Sequence, residues 1–173
     1  MRGGIQPMSP EDVLKELEDI RAQTLDRLAS LSQAQLDAQP PRADAEQPWS
    51  LGEVFMHIAI DEIYLREMLS RPLLEGIRPP AGITFLPPPP PYGASKEIIQ
   101  FWFARARSQT RAYVQQWPSK WDPDLKHAGS LQLMNALQWL EGYGGHEKFH
   151  HRQIDSLIKW CNDNDAIRNH TSA

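Results

Sequence analysis

Apolar residues recur every three or four positions in four segments of this chain, and this helical periodicity constrains its fold more than any other feature. The first segment follows Ser9-Pro10-Glu11-Asp12, which joins an N-cap, a proline at the first helical position and acids in the first turn. The spacing predicts a first helix over about residues 10–34. The residues expected to face its core are Val13, Leu17, Ile20, Thr24, Leu28 and Leu31.

A second helix is predicted where Ser50 and Glu53 have the spacing of a capping box, and it should continue to Arg71-Pro72. A third helix should begin after Ser95, which can cap it, and end near Trp117-Pro118. The expected core-facing residues are Leu51, Val54, Ile58, Leu65 and Met68 in the second helix, and Ile99, Trp102, Phe103, Ala106, Tyr113, Val114 and Trp117 in the third.

The last helix should run from about Ser130 to Cys161, roughly 45 Å at about 1.5 Å per residue. Its middle holds Gly142, Gly144 and Gly145. A glycine inside a helix costs up to about 1 kcal/mol relative to alanine. These glycines therefore favour a bend, or a close contact with another helix.

A proline-rich segment, RPPAGITFLPPPPPYG, separates the second and third helices and cannot lie inside a helix or a sheet. Five consecutive prolines favour a stiff polyproline II strut. We interpret residues 71–93 as a rigid crossover loop. A lid over a pocket and a docking segment for a proline-reading domain are the alternatives.

These features predict an all-α fold, a four-helix bundle with a long proline-rich crossover between the second and third helices. A chain of 173 residues should form a single domain over residues 1–173, with a polar tail over residues 162–173. No convincing strand is visible.

Composition and charge exclude several classes of function. The net charge of −4 comes with scattered Lys and Arg, so we expect no nucleic-acid partner. No run approaches about 20 apolar residues, and the opening MRGGIQPMSP lacks the apolar stretch of a signal peptide, so no membrane partner is expected. The single cysteine, Cys161, cannot form an internal disulfide, which favours a cytoplasmic protein.

Three histidines lie on the inward sides of two predicted helices. His146 and His150 are four residues apart, so their imidazoles are neighbours on the buried stripe of the last helix. His57 faces inward from the second helix, with Glu53 and Asp61 about one turn before and after it. A divalent metal ion shared by His57, His146 and His150 is the simplest reason to bury three imidazoles together.

The alternative reading of each inward histidine is a hydrogen-bonded core residue. Of the other histidines, His151 is expected at the edge of the stripe or exposed, His127 in a loop and His170 in the polar tail.

The segment HEKFH also matches the H-E-x-x-H helix of metalloproteases. That class needs a third ligand, usually downstream, and a sheet edge for its substrate. No glutamate follows Glu147, only His170 is a histidine late enough, and no strand is visible, so the sequence disfavours a metalloprotease. Glu147 lies about 100° from the ligand side, which suits a solvated or supporting role.

The chain resembles the DinB-like (DNA-damage-inducible) superfamily of four-helix bundles. Two segments carry the resemblance, PWSLGEVFMHIAIDE and HEKFHHRQI. The resemblance implies a three-histidine site for nickel, zinc or a similar divalent ion. The family pattern falls on Trp49-Ser50, His57, His146, His150, Gln153 and Ile154.

The resemblance also implies a range of activities. Some members of the family look like S-transferases or isomerases, in which the metal activates a low-molecular-weight thiol such as bacillithiol, mycothiol or glutathione. Other members look like hydrolases. We therefore expect a metal-dependent enzyme that uses such a thiol as cosubstrate to modify a small-molecule substrate. A metal-dependent hydrolase and a non-enzymatic stress-response or ligand-binding bundle are the alternatives.

Two further expectations concern the site and the assembly. Asp61 and Glu53 are the candidate catalytic residues, either orienting His57 or accepting a proton. The resemblance to the family implies a dimer, and six Trp, four Tyr and five Phe are generous for a small bundle. A homodimer formed through helical faces is therefore expected.

Overall fold

The computed structural model describes residues 8–40, 49–78, 88–128 and 133–171, with side chains as far as Asn164. Over these residues the chain is mostly helical. The elements are α1 (Pro10–Ala29), α2 (Gln33–Asp37), α3 (Leu51–Leu65), a π-helical turn (Arg66–Ser70), α4 (Arg71–Leu74), α5 (Lys96–Gln115), β1 (His127–Ala128), β2 (Leu133–Met134) and α6 (Ala136–Thr171). The two-residue strands β1 and β2, which the sequence did not reveal, pair antiparallel with His127 opposite Met134.

Local capping sets where the long helices begin. The Ser9 side chain accepts a hydrogen bond from the Asp12 N–H, and Ser50 and Glu53 form the predicted capping box. Ser95 caps α5 in the same way. The first helix was predicted too long, because it ends at Ala29 and Ser32 opens a second capping box that starts the short helix α2.

The second helix changes its geometry after Leu65. A π turn has more residues than an α turn, so the positions that face inward shift along the chain. Leu69 and Ser70 are buried, whereas Met68 is 39% exposed. The prediction that Met68 faces the core was therefore wrong. The chain then stays helical through α4, so residues 71–74 of the expected crossover loop are not loop.

The last helix begins at Ala136 rather than near Ser130, which lies outside the described residues. Asn135 and Gln138 explain the start, since each side chain accepts a hydrogen bond from the other's backbone N–H, at 2.9 and 3.0 Å. The helix continues past Cys161 to Thr171, so the expected polar tail is largely helical. Residues 79–87 of the proline-rich segment also lie outside the described part, and Pro90 beyond them is buried.

The long helices bury their apolar sides against one another. Helix α3 packs against α5 and α6, and α1 packs against α6 and α5. All the residues of the first helix that were expected to face the core are buried. At Gly144 the contact is close, because an added Cβ would lie 2.9 Å from Ile20 Cδ1 of α1. Of the helices described here, none has the length and apolarity needed to cross a bilayer.

Candidate metal centre

The three histidines singled out in the sequence meet between α3 and α6. One ring nitrogen from each of His57, His146 and His150 lies within 4.8 Å of the other two. The Nε2 atoms of His146 and His150 are 3.0 Å apart. The His57 ring stands edge-on to both, with centroids 5.1 Å from His146 and 4.8 Å from His150. Two helices distant in sequence thus place three potential ligands around one point.

This donor set fits a divalent ion of the zinc or nickel kind. Two imidazole nitrogens that each lie about 2.1 Å from one ion stand roughly 3.0–3.4 Å apart, for angles between a right angle and a tetrahedral one. The pair on α6 already has this spacing. His57 and His150 are buried, while 28% of the His146 side chain is exposed, so solvent reaches the site from the side of His146.

Neighbouring side chains orient two of the rings. Gln153 Oε1 lies 2.7 Å from His150 Nδ1 and can accept a hydrogen bond from the Nδ1–H group, which leaves the Nε2 lone pair facing His146. The Trp49 ring packs against His57 with a centroid distance of 4.8 Å. Phe149 contacts His150 from the outside, at 5.3 Å, and is 61% exposed. An exposed aromatic ring therefore lies next to the site.

Asp61 and Glu53, both expected near His57, have different surroundings. Asp61 Oδ2 lies 3.1 Å from His146 Nε2 and 3.6 Å from His57 Nε2. Its other oxygen, Oδ1, is buried and has no hydrogen-bond partner among the residues described. Glu53 instead caps α3, where its Oε2 accepts hydrogen bonds from the Ser50 N–H at 2.8 Å and from Gln39 at 3.0 Å. Asp61 is the carboxylate at the histidine cluster.

Burial keeps the histidines in the form that binds metal. It lowers the pKa of His57 to about 4 and that of His146 to about 3, and the neighbouring imidazoles add to the effect. The pKa of His150 is also lowered, mainly by burial. The imidazoles are therefore neutral near pH 7, with lone pairs free to coordinate. Burial acts on Asp61 in the opposite sense and raises its pKa to about 7.

Comparison with known families shows the family to which the chain belongs. The family model of the DinB superfamily matches residues 16–154, a span that contains the three histidines, Asp61 and Gln153. The chain belongs to the DinB superfamily. No curated protein and no solved structure matched the chain in the corresponding searches. Membership of the DinB superfamily was thus correctly inferred from the two motifs.

Glu147, the glutamate of HEKFH, is not solvated in this DinB-superfamily protein. Its side chain is buried and accepts two hydrogen bonds from Arg21, from Nε at 2.7 Å and from Nη2 at 3.0 Å. Thr24 also donates to it. The prediction that Glu147 is solvated was wrong, because the side of α6 next to the histidine stripe packs against α1.

Glu147 is one part of a buried ion network that sequence reasoning missed. Glu62 on α3 accepts from Arg21 on α1 at 2.8 Å and from Arg107 on α5 at 3.0 Å. Thr110 donates to the same carboxylate at 2.7 Å. Two arginines and two glutamates thus join α1, α3, α5 and α6, with formal charges that cancel.

The sequence did contain a signal for this network. Arg21, Glu62 and Arg107 each lie four residues after an apolar residue assigned to the core. Four residues is close to one helical turn, so each charge falls on an inward side. Charges on three inward sides predict buried ion pairs, because an unpaired buried charge is too costly.

Among the described residues, the group of histidines that could hold a metal ion does not include His151, His127 or Cys161. His151 was expected at the edge of the stripe or exposed, but it is buried and its Nε2 lies 2.8 Å from Thr24 Oγ1. His127 is buried in β1 rather than in a loop. The side chain of His170 lies outside the described part. Cys161 is buried in the largest core cluster, as expected of a small core residue.

Proposed function

We propose that this protein holds one divalent metal ion between His57, His146 and His150. The convergence of one nitrogen from each ring within 4.8 Å carries the proposal. Three neutral imidazoles suit zinc and nickel, among other divalent ions, and Gln153 and the surrounding burial would keep them oriented and deprotonated. The long helices α1, α3, α5 and α6 would form the four-helix bundle expected of the family, with ligands on two facing helices.

The chemistry we propose is activation of a low-molecular-weight thiol for transfer to a small electrophile. An ion held by three histidines would supply open positions at which the pKa of a thiol or of water falls. The thiol would come from a cosubstrate, because Cys161 is buried in the core. Entry from the side of His146 and Phe149 would bring the substrate to the site past an exposed aromatic ring.

We propose that Asp61 accepts the proton that the thiol loses when it is activated. Its Oδ2 lies 3.1 Å from His146 Nε2, so the carboxylate borders the space between the rings. Its Oδ1 has no protein partner within the described residues and could accept a proton from an incoming thiol. Glu53 is the weaker candidate, because its carboxylate is engaged at the start of α3.

Hydrolysis of a small substrate is the second candidate function. The same observation favours it, since a carboxylate beside an open metal site can take a proton from water as well as from a thiol. Thiol transfer is placed first because of the resemblance to thiol-dependent members of the family. A bundle that binds a ligand without reaction is the third outcome that the test must recognise.

The test compares metal-loaded and metal-free protein in two assays. The first follows thiol consumption with a generic electrophile and supplies glutathione, bacillithiol, mycothiol or coenzyme A. The second follows hydrolysis of a simple ester or amide. Metal-dependent thiol consumption that His57→Ala abolishes and Asp61→Asn slows would support the proposal. Metal-dependent hydrolysis alone would move the assignment to a hydrolase, and a metal-loaded protein inactive in both would favour the non-enzymatic bundle.

A further inference from the structure

Arg21 joins the two helices that carry the histidines. Its Nη2 donates to Glu62 Oε2 on α3 at 2.8 Å and to Glu147 Oε2 on α6 at 3.0 Å. Its Nε donates to Glu147 Oε1 at 2.7 Å, so the contact to α6 is bidentate. The guanidinium carbon also lies 4.1 Å from the centre of the Phe103 ring on α5. All three charged side chains are at least nine-tenths buried, so their geometry is held by packing on every side.

The network adjoins the histidine cluster on both helices. Glu147 follows His146 in α6, and Glu62 follows Asp61 in α3. Successive residues of a helix are separated by about 100°, so on both helices one residue faces the cluster while the next faces the network. A shift of α6 relative to α3 would therefore change the separation of His57 from His146 and His150. The same shift would break the contacts of Arg21.

We infer that Arg21 and Glu147 are positioning residues, which set the spacing of the three histidines through the register of α6 against α3. This inference rests on the proposed metal site. A metal site needs its ligands held to within about half an ångström, and supporting residues supply that precision. Bidentate arginine–carboxylate contacts fix direction as well as distance, which apolar packing does not.

Stability alone is a weak explanation for such a network. Replacing a buried ion pair by well-packed apolar residues is often neutral or stabilising. A network kept only to hold the fold together could therefore be replaced without loss. A network that positions ligands could not be replaced, because the replacement preserves packing but loses the directed contacts between the helices.

The experiment measures Co²⁺ binding by competition with a chromogenic chelator and records the visible spectrum of the bound cobalt. Three variants are tested: Arg21→Lys, Glu147→Gln and the paired apolar change Arg21→Met/Glu147→Met. The paired change keeps the net charge and leaves Glu62 bound to Arg107, so it preserves folding if a single variant does not. We expect each folded variant to bind cobalt roughly ten- to a hundredfold more weakly, with a shifted spectrum.

Two controls separate positioning from a general loss of stability. Arg27→Lys alters another ion pair between α1 and α6, since Arg27 Nε lies 2.8 Å from Asp155 Oδ1, but that pair is more exposed. The hydrogen bonds that Arg27 donates are to Asp155 and to the Gln23 carbonyl oxygen. Leu28→Ala removes a fully buried core side chain from α1. Circular dichroism identifies a temperature at which the wild type and all variants are folded, and cobalt binding is measured at that temperature. Both controls should bind cobalt within about threefold of the wild type, well short of the loss expected for a disrupted supporting contact.

The outcomes distinguish this inference from the metal site on which it rests. Folded network variants with wild-type affinity and spectrum would overturn the positioning role and leave the site intact. A loss of affinity in Leu28→Ala equal to that in the network variants would overturn it as well. A wild-type protein that binds no cobalt, or binds it equally after His57→Ala, would overturn both the metal site and the positioning role.

Discussion

The Nε2 atoms of His146 and His150 lie 3.0 Å apart, one turn from each other on α6. This separation is compatible with two ligands of a single ion. His57 on α3 would be the third ligand of the proposed site, and an oxygen of Asp61 lies 3.1 Å from His146. The arrangement makes metal content the first property to measure.

Removal of one histidine should abolish metal binding. We expect one equivalent of nickel or zinc per chain in reloaded wild-type protein, and close to none in His146→Ala or His57→Ala, because two imidazoles hold an ion much less firmly than three. Elemental analysis of desalted protein measures this. His151→Gln is the control, since His151 adjoins His150 but its ring contacts Thr24. Unchanged stoichiometry in His146→Ala would refute the assignment.

Gln153 should matter for metal affinity although it is not proposed as a ligand. Its Oε1 lies 2.7 Å from His150 Nδ1, and loss of such a partner typically weakens binding roughly ten- to a hundredfold. Gln153→Leu should show this loss in a chelator competition, whereas Arg152→Ala, an exposed neighbour, should not. Equal affinities for Gln153→Leu and the wild type would mean that His150 is oriented by other contacts.

Acid should destabilise the protein partly through Glu62. Burial by itself would raise the pKa of Glu62, but Arg21 and Arg107 outweigh burial and hold it below its ordinary value of 4.5. A carboxyl with a depressed pKa contributes stability above pH 4.5, and this contribution is lost as the pH falls through the folded-state value.

The variant Glu62→Gln should therefore be less stable than the wild type at pH 7, by roughly 3–5 kcal/mol, because it leaves buried arginine charge unbalanced. Its stability should also fall less between pH 5 and about pH 3 than that of the wild type. Urea unfolding of metal-free protein across this range measures both effects. Parallel pH profiles for the two proteins would show that Glu62 does not control acid sensitivity.

The two adjacent glycines of α6 should respond differently to alanine. A Cβ at Gly145 would meet nothing within 4 Å, so Gly145→Ala should raise stability by up to about 1 kcal/mol through helix propensity. A Cβ at Gly144 would lie 2.9 Å from Ile20 Cδ1 and 3.2 Å from Leu17 Cδ2, so crowding of α1 should outweigh that gain. Thermal unfolding should place Gly144→Ala below the wild type and Gly145→Ala above it. The reverse order would show that α1 yields easily at this contact.

A homodimer remains a prediction from the family resemblance and the aromatic content. Light scattering at high micromolar concentration should give a mass near twice the 19.8 kDa of one chain. The mass should not depend on the metal, because the three proposed ligands come from one chain. A monomer mass under these conditions would contradict the prediction.

Much of the local structure could be predicted from the sequence because the interactions that decide it are local. Ser9, Ser50 and Ser95 bond to backbone groups three residues away, so capping residues can be read directly. The inward sides of the helices follow from their period, which also placed the three histidines on buried stripes. The predictions from the sequence were wrong where the geometry of a helix changes partway along it, as at the π turn that leaves Met68 exposed.

The sequence by itself determined the helical character of the chain, the starts of α1, α3 and α5 and the inward direction of His57, His146 and His150. Only the tertiary structure decided which nitrogens meet, which carboxylate stands beside them and what holds the helices in register. Arg21 and Glu147 are 126 positions apart, and no local sequence pattern indicates that they form an ion pair. The physical reason is that a buried charge requires a partner but does not specify its position, and the packing of α1 and α3 against α6 makes that choice.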